Sequence, residues 1–407
     1  MWNLQKDCKS LIKNSWNTMV VGCPMYILNS KLKTLKSNLK DWNKASFVNV
    51  HEKVKIGGLN LDVVQKNIDS LGHSDTLVEQ EIMLYWSWNM LSMLRIFFWK
   101  EKSKIKWALE GDITTSYFHK LAKINHSIKR IMALRVEDNI ITNQLDIAFH
   151  VVNRFTNLFY SSSLLLDNDL IQRVIPNLIT DDINHILALM HSAEEIHQVV
   201  FALNPSSAPG PDGFGGCFYQ THWDIIKEDV INDVLEFFST SWLLPNFNSN
   251  TLVLVPKVDN ADRVDQFRPI ALANFKFKII TKIQAYRLGT IMLSLISKEQ
   301  NKFIHGRLIR DCIAITSEAF NILLNKSING NLCLKIDMAK AFDTLDWCFL
   351  LKVLRQLGFC NTFCDWISTI LHSAKIFLYQ WFPSWSLFLQ KRGQIRSSLV
   401  PSSFLHC

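Results

Sequence analysis

Residues 334–347 read LKIDMAKAFDTLDW, an apolar run that ends in Asp337, with a second acid, Asp343, six residues later. In GNLCLKID (330–337) the spacing of Leu332, Leu334 and Ile336 predicts a strand with these three on one face. A carboxylate at the C-terminal end of a central strand stands at the sheet edge, where ligands bind. Partly desolvated there, it needs an arginine, a lysine or a divalent metal. Asp337 and the carbonyl of Met338 offer hard oxygen ligands suited to Mg²⁺. On the residues alone, an acid that ends a strand is more often a cap or turn residue than a ligand. Asp343 and Asp346 stand where the next helix begins, and capping suits both.

That next helix is DWCFLLKVLRQLG (346–358), with Leu350, Leu354 and Leu357 in register and Gly358 as its stop. AKIFLY (374–379) predicts another strand. Upstream, TLVLVPK (251–257) is a short strand ended by Pro256, and KFKIITKIQAYRLGTIMLSLI (276–296) a long helix after FRPIALANF. HWDIIKEDVINDVLEFF (222–238) places Ile225, Ile226, Val230, Val234 and Phe237 at helical spacing. Strands interleaved with helices make residues 200–380 an α/β or α+β unit. NPSSAPGPDGFGG (204–216) is the densest Pro/Gly/Ser stretch, a loop and the most evident internal boundary.

The N-terminal part reads as helical and basic. Residues 1–60 carry ten lysines against three acids, and residues 98–130 carry eight Lys/Arg against three acids. With a net charge of +8 this clustering suits a polyanionic partner, as it also suits solvated helix faces. KLKTLKSNLKDWNK (31–44) sets Leu32, Leu35, Leu39 and Trp42 on one stripe among lysines, and GGLN (57–60) breaks the pattern. A second helical block runs from about Ser74 to Lys106, with a Thr76/Glu79 capping box at its start. Residues 82–99 have the length of a membrane span but hold Asn89 and Arg95, so a buried or partner-covered helix is expected there. The nine cysteines form no framework, and the start of the chain has no secretion signal, which points to the nucleus or cytoplasm. Cys360 and Cys364, with His372 nearby, are read as free thiols, because no second ligand pair follows.

The segment from Asp337 resembles motif A of the reverse transcriptases of non-LTR (LINE-type) retrotransposons of the plant kind, written D-x-x-K-A-F-D-x-[LV]-x-W. Here it stands as Asp337, Lys340, Ala341, Phe342, Asp343, Leu345 and Trp347. APGPDGFGGCFYQTHWDIIKEDV (208–230) is similar to the family's extension ahead of the fingers, LVLVPK…FRPIALANFKFKIITKIQAYRL (252–288) to its fingers motifs, and QNKFIHGRLIRDCI (300–313) to its Q-x-x-F-x-x-G-R-x-I-x-D segment. Lys302 stands where many relatives carry Gly. WALEGDITTSYFHK (107–120) resembles the connector motif G-D-x-N-T-x-F-F-H, with Thr114 and Tyr117 as departures. The matches run in the family's order over roughly residues 20–375.

The resemblance implies an α+β fold of right-hand polymerase fingers and partial palm, preceded by a mainly helical connector. Residues 1–130 would be that connector, 131–203 a helical N-terminal extension, 204–380 the fingers and partial palm, and 381–407 a divergent tail. It implies an RNA template, a DNA primer and deoxynucleoside triphosphates as partners, no membrane, and Mg²⁺ held by Asp337 and the Met338 carbonyl. Phe342 would lie beneath the incoming sugar, Arg268 along the triphosphate, Lys257 near it or the template, and Arg307 and Lys340 against nucleic acid. The family's [FY]-x-D-D hairpin is not found, since no Asp-Asp pair follows residue 347 and the last acid is Asp365. One aspartate cannot hold two ions, so the chain alone is expected not to polymerise. Codons for LVPSSF (399–404), read two bases off, can spell the family's Ser-Pro-Leu-Leu-Phe, so a frameshift near residues 380–395 is expected; the family's endonuclease is missing ahead of the connector. The alternative is a non-enzymatic relic that binds nucleic acid through the basic connector and fingers; a membrane-associated protein using 82–99 is a third reading.

Overall fold

The computed structural model describes residues 6–47, 50–103, 131–159, 169–301, 304, 306–323, 332–334, 336, 345–378 and 388–389. It divides into two compact units, one of residues 1–19 with 31–132 and one of residues 20–30 with 133–407.

The first unit is helical. Helix α1 (Lys6–Trp16) buries Cys8, Ile12 and Trp16, and Asn38 Nδ2 of α2 (Pro24–Phe47) donates to Ser15 Oγ of α1 at 3.0 Å. Leu32, Leu35 and Leu39 of α2 are buried while Lys33, Lys36 and Lys40 are exposed, so the expected stripe is a packed one. Helix α3 (Val50–Leu71) runs straight through residues 57–60, where the sequence predicted a break. The reason is a neighbour. A Cβ on Gly57 or Gly58 would meet the Trp88 indole of α4 (Asp75–Ser103) at 3.4 and 3.3 Å, so the two glycines seat that ring. Helix α4 starts two residues earlier than the expected box, with Ser74 Oγ accepting from Leu77 N at 3.4 Å. Of residues 82–99, expected to be buried or covered by a partner, Met83, Trp86 and Met90 are not buried within the chain, being 69%, 68% and 62% exposed. None of the described helices is long and apolar enough to cross a membrane.

The second unit takes in residues 20–30, the start of α2 among them, and resumes with a two-residue hairpin, β1 (Leu134–Val136) and β2 (Asn139–Ile141), whose turn holds Glu137 at positive φ. Helices α5 (Gln144–Phe159), α6 (Leu170–Val174), α7 (Asp181–Ala188) and α8 (Ala193–Ala202) follow. Thr180 and Ser192 cap α7 and α8 through their side-chain oxygens. After the 204–216 loop come α9 (Gly216–Thr221) and α10 (Trp223–Thr240), the latter burying Ile226, Val230, Val234 and Phe237 as its spacing predicted.

Strand β3 (Ser249–Pro256) pairs antiparallel with β4 (Phe267–Ala273) and parallel with β5 (Lys375–Leu378), which pairs antiparallel with β6 (Phe388–Leu389). The four-stranded order is β4-β3-β5-β6. Helix α11 (Phe275–Leu295) is the central element. Its first half buries residues on every side, among them Phe275, Lys276, Phe277, Ile280 and Gln284. Helix α12 (Ile309–Leu323) buries none. The predicted strand at 330–337 differs: residues 332–334 and 336 lie in no helix or strand, and Leu332, Leu334 and Ile336 are exposed. The described flank of β3 is taken by β5 instead, so these side chains gain no sheet face to cover.

Helices α13 (Trp347–Leu357) and α14 (Asn361–His372) form a corner at Gly358. Asp346 caps α13 by accepting from Phe349 N at 3.0 Å. Gly358 has φ 100°, and a Cβ there would lie 2.3 Å from Asn177 Oδ1 and 2.9 Å from the Ile179 carbonyl oxygen. The Leu357 carbonyl accepts from Leu178 and Ile179, and Asn184 Nδ2 donates to the Gly358 carbonyl at 2.8 Å. Gly358→Ala is therefore expected to lower unfolding stability by about 2 kcal/mol, from left-handed strain and the displaced 177–179 segment. Urea unfolding of the variant checks this.

Cys364 is buried, which pushes its thiol above the ordinary pKa, and Cys360 is half-buried; both are free. Among the described residues no three His, Cys, Asp or Glu side chains group to hold a metal.

Candidate functional site

The sequence-derived candidates divide in two. Asp337, Met338, Lys340 and Phe342 lie outside the described residues, as does Asp343. Lys257, Arg268 and Arg307 are described.

Lys257 and Arg268 belong to the β3–β4 hairpin. Alternation buries Leu252 and Leu254 on one face of β3, and Phe267 adds to the buried side from β4. The opposite face carries Val253 and Val255, whose cross-strand partners are Ile270 and Arg268. Val255 and Ile270 are about two-fifths exposed, and Arg268 is exposed. Lys257 continues the alternation two residues past Val255, with its backbone N–H donating to the Gln266 carbonyl at 2.8 Å. That register places Lys257 diagonally across from Arg268 on the same face. Lys257 Nζ donates to the Asp265 carbonyl at 2.9 Å, and no carboxylate among the described residues pairs with Arg268.

The turn that joins the strands holds three acids, Asp259, Asp262 and Asp265. Two are neutralised locally. Arg263 Nε lies 3.3 Å from Asp265, and Arg135 Nε of β1 lies 3.1 Å from Asp262. The Arg135 N–H also donates to the Asp262 carbonyl at 2.6 Å, so the β1–β2 hairpin braces the turn. Gln266 Oε1 accepts from Asp262 N and Arg263 N, closing the loop on itself. The result is a braced hairpin with an apolar floor and two cations at one end. A guanidinium fork beside an ammonium matches a phosphate group well.

The far end of the hairpin receives the 204–216 loop, which was expected to mark a domain boundary and here belongs to the second unit. A Cβ on Gly210 would fall 2.4 Å from Asn274 N and 2.6 Å from the Ala273 carbonyl carbon, so only glycine allows this approach. Asn274 Oδ1 accepts from Asp212 N at 3.1 Å, its Nδ2 donates to the Phe247 carbonyl at 3.1 Å, and Lys278 Nζ reaches the Ala208 carbonyl at 3.4 Å. Burial lowers the Lys278 pKa, opposed by the charge of Asp212.

Arg307 has its guanidinium turned to the end of α11. It donates to the carbonyls of Ser297, Gln300 and Ile296, the last at 3.1 Å. The Ile296 carbonyl belongs to the helix C-cap, and the other two to the 297–300 turn that follows it.

Sequence reasoning missed Arg287. Its Nε and Nη2 grip both oxygens of Glu195 at 3.1 and 2.9 Å, and Nη1 donates to the carbonyls of Leu187 at 3.1 Å and of Leu189. His191 Nδ1 lies 3.0 Å from Glu195 Oε2. Burial, helped by Arg287, lowers the His191 pKa to about 4, so the ring is neutral and donates to Glu195. Burial pushes Glu195 up, but the hydrogen bonds from Arg287 and His191 outweigh it and its pKa falls. A single arginine within a helical pattern carries no signal for this role.

Residues 255–394 match the family model described as reverse transcriptase (RNA-dependent DNA polymerase). Over 182 residues the chain is 25% identical to the "Transposon TX1 uncharacterized 149 kDa protein" of Xenopus laevis, covering 45% of this chain and 14% of that protein. The chain thus aligns with a small part of the length of that curated relative. Lys257, Arg268, Arg307 and Asp337 all fall within the family match. Residues 255–394 are thus similar to reverse transcriptases, and 45% of the chain to a transposon protein.

Proposed function

We propose that residues 204–380 are the fingers and first part of the palm of a non-LTR (LINE-type) retrotransposon reverse transcriptase, of the plant kind, with 1–130 as its basic connector and 131–203 as a helical extension. The observation that carries this reading is the pair of cations, Lys257 and Arg268, on the exposed face of a braced hairpin inside the matched segment. Arg268 lies along the triphosphate of an incoming deoxynucleotide, and Lys257 beside it or the template. Two of the turn's three acids, Asp262 and Asp265, are held by Arg135 and Arg263, which lessens their repulsion of phosphate at that face. Phe342 supports the sugar and Lys340 meets nucleic acid. Arg307, with its carbonyl contacts, holds the end of α11 where the template passes.

The family implies a divalent metal, which when bound neutralises phosphate charge during nucleotide transfer. Its proposed ligands are Asp337 and the Met338 carbonyl, and the described residues add no cluster of acids to them. The partners are an RNA template, a DNA primer and deoxynucleoside triphosphates.

Equilibrium binding of a fluorescent deoxynucleoside triphosphate with Mg²⁺ to the whole chain tests the reading. Arg268→Ala is expected to weaken binding about tenfold, since a hydrogen bond to a charged group contributes roughly 1.5–3 kcal/mol. Lys257→Ala, a point charge without the fork, is expected to cost several-fold less. Equal binding by both variants and the wild type would sink the assignment. In primer extension on an RNA template with Mg²⁺, these 407 residues alone are expected to incorporate nothing, since they hold no Asp-Asp pair after residue 347. Incorporation abolished by Asp337→Ala would overturn that part.

A second reading, non-enzymatic nucleic-acid binding, draws on the exposed lysines of α2, Lys33, Lys36 and Lys40. Metal-independent RNA binding that weakens steeply with salt, with no deoxynucleotide affinity, would favour it.

A further inference from the structure

We propose that Arg135 is a positioning residue of the nucleotide site: it holds Asp262 back from Arg268 and so leaves that guanidinium free for phosphate. The inference rests on the nucleotide reading above and adds to it a residue from outside the matched segment 255–394. What prompts it is an exposed arginine beside three acids. Asp259, Asp262 and Asp265 all precede Arg268 by nine residues or fewer, yet no carboxylate among the described residues pairs with it. Asp265 is taken by Arg263 from the same turn, whereas Asp262 is taken from another element.

That element is the β1–β2 hairpin, and its register explains the reach. With a two-residue turn, Val136 and Asn139 are the closing pair, and ladder bonds alternate outward from it. The next pair, Arg135 and Ile140, is a non-bonded one, so the Arg135 N–H points out of the hairpin. It meets the Asp262 carbonyl at 2.6 Å, while its Nε lies 3.1 Å from Asp262 Oδ2. One residue thus fixes both the backbone and the carboxylate of Asp262. Ile131 and Leu134 are buried, which anchors the strand that supplies this grip. From Asp262 the path to the cations is short. Its N–H donates to Gln266 Oε1 at 2.8 Å, and the Gln266 carbonyl accepts from Lys257 N at 2.8 Å. Arg268 follows two residues on, in β4. A carboxylate released at this end of the ladder would repel phosphate and offer the guanidinium a partner within the chain. The Arg135–Asp262 pair is 54% and 41% exposed, so it adds little to folding. Its effect falls on the local charge.

Equilibrium binding of a fluorescent deoxynucleoside triphosphate with Mg²⁺ to the whole chain tests this, with the urea unfolding midpoint of each variant measured alongside. Arg135→Ala is expected to weaken binding about threefold, the scale of one exposed ion pair, and less so as salt is raised. Asp262→Asn alone is expected to bind at least as tightly as the wild type. Combined with Arg135→Ala it is expected to restore wild-type affinity, because the released charge is then gone. A double variant as weak as Arg135→Ala, or weaker binding by Asp262→Asn, would make the pair a structural brace and overturn the proposal. So would wild-type affinity in Arg135→Ala. Arg268→Ala separates this inference from the reading beneath it. If Arg268→Ala weakens binding and Arg135→Ala does not, the role of Arg135 alone falls. If neither weakens it, or the wild type binds no nucleotide, the nucleotide reading falls and this inference with it.

Discussion

Arg287→Ala is expected to lower the unfolding free energy by about 3 kcal/mol, the loss that follows removal of one partner from a largely buried ion pair. The guanidinium is 15% exposed and Glu195 30%, so solvent screening places the cost at the lower end of the buried range. The side chain does more than pair. It joins the middle of α11 to Glu195 on α8 and to the carbonyls at the end of α7, three elements held by one planar fork. Removing it leaves Glu195 with His191 alone and strands those carbonyls in a partly buried corner. Arg287→Lys should recover little, because an ammonium cannot serve two carboxylate oxygens and the carbonyls at once. Urea unfolding gives the magnitude, and the His191 ring resonances give the mechanism. Because the Arg287 charge helps to hold the His191 pKa near 4, that value should climb in the Ala variant. An unchanged unfolding midpoint would remove Arg287 from the architecture.

Asp233→Asn is expected to stabilise the protein at pH 8 and to flatten its pH dependence just below. Asp233 on α10 is fully buried, and neither carboxyl oxygen has a hydrogen-bond partner among the described residues. Burial raises its pKa to about 8, with Lys276 pulling down and Glu236 pushing up. The neighbouring Tyr219 hydroxyl is also buried and unbonded, its pKa raised by burial and by the charges of Asp212 and Asp233. Lys276 is buried too; its ammonium donates to Asn29 Oδ1 at 2.7 Å and lies 4.6 Å over the Phe247 ring. The folded chain thus keeps the Asp233 proton up to about pH 8, whereas the unfolded chain loses it near the ordinary 3.8. A folded pKa above the unfolded one means stability that is complete below pH 4 and declines as pH rises to 8. The slope approaches about 1.4 kcal/mol per pH unit. His191 works the other way: its lowered pKa makes stability rise with pH between 4 and 6.5. From pH 6.5 to 8 the unfolded His191 loses only its remaining half proton, a contribution shared by wild type and variant, so that is the window to measure. The lowered pKa of Lys276 adds a rising contribution only above its own folded value. Denaturation at pH 6.5 and 8 of wild type and Asp233→Asn decides the matter; equal slopes would show that Asp233 is ionised in the fold.

Much of the architecture could be read from local patterns. Helix α13 shows its period, its Asp346 cap and its Gly358 stop in thirteen consecutive residues. Helix α10 and strands β3 and β5 were equally plain. Strand β4 was not read as one, because Pro269 stands inside it; proline is tolerated there since β4 is an edge strand, paired to β3 alone. The Gly57-Gly58 pair looked like a break because its reason, Trp88, lies on another helix. For residues 82–99 the sequence left burial and cover by a partner both open, because hydropathy records what a side chain prefers and says nothing of which neighbour is present. As for the site, Lys257 and Arg268 carry no local mark that separates them from other surface cations, and only resemblance singled them out. Their placement on one face needs the β3–β4 register, which no single strand's sequence contains.

Strand β3 has neighbours of very different origin. Its antiparallel partner β4 begins eleven residues after β3 ends, whereas Ser249 and Lys375, paired in the parallel ladder, stand 126 residues apart in sequence. Near contacts form quickly and distant ones slowly, so the hairpin should be complete while the other edge of β3 still waits. On a ribosome adding about 5–20 residues per second, that edge is open for roughly 6–25 seconds before its partner has even been made. Any factor that shelters this chain during synthesis has its task defined by that interval.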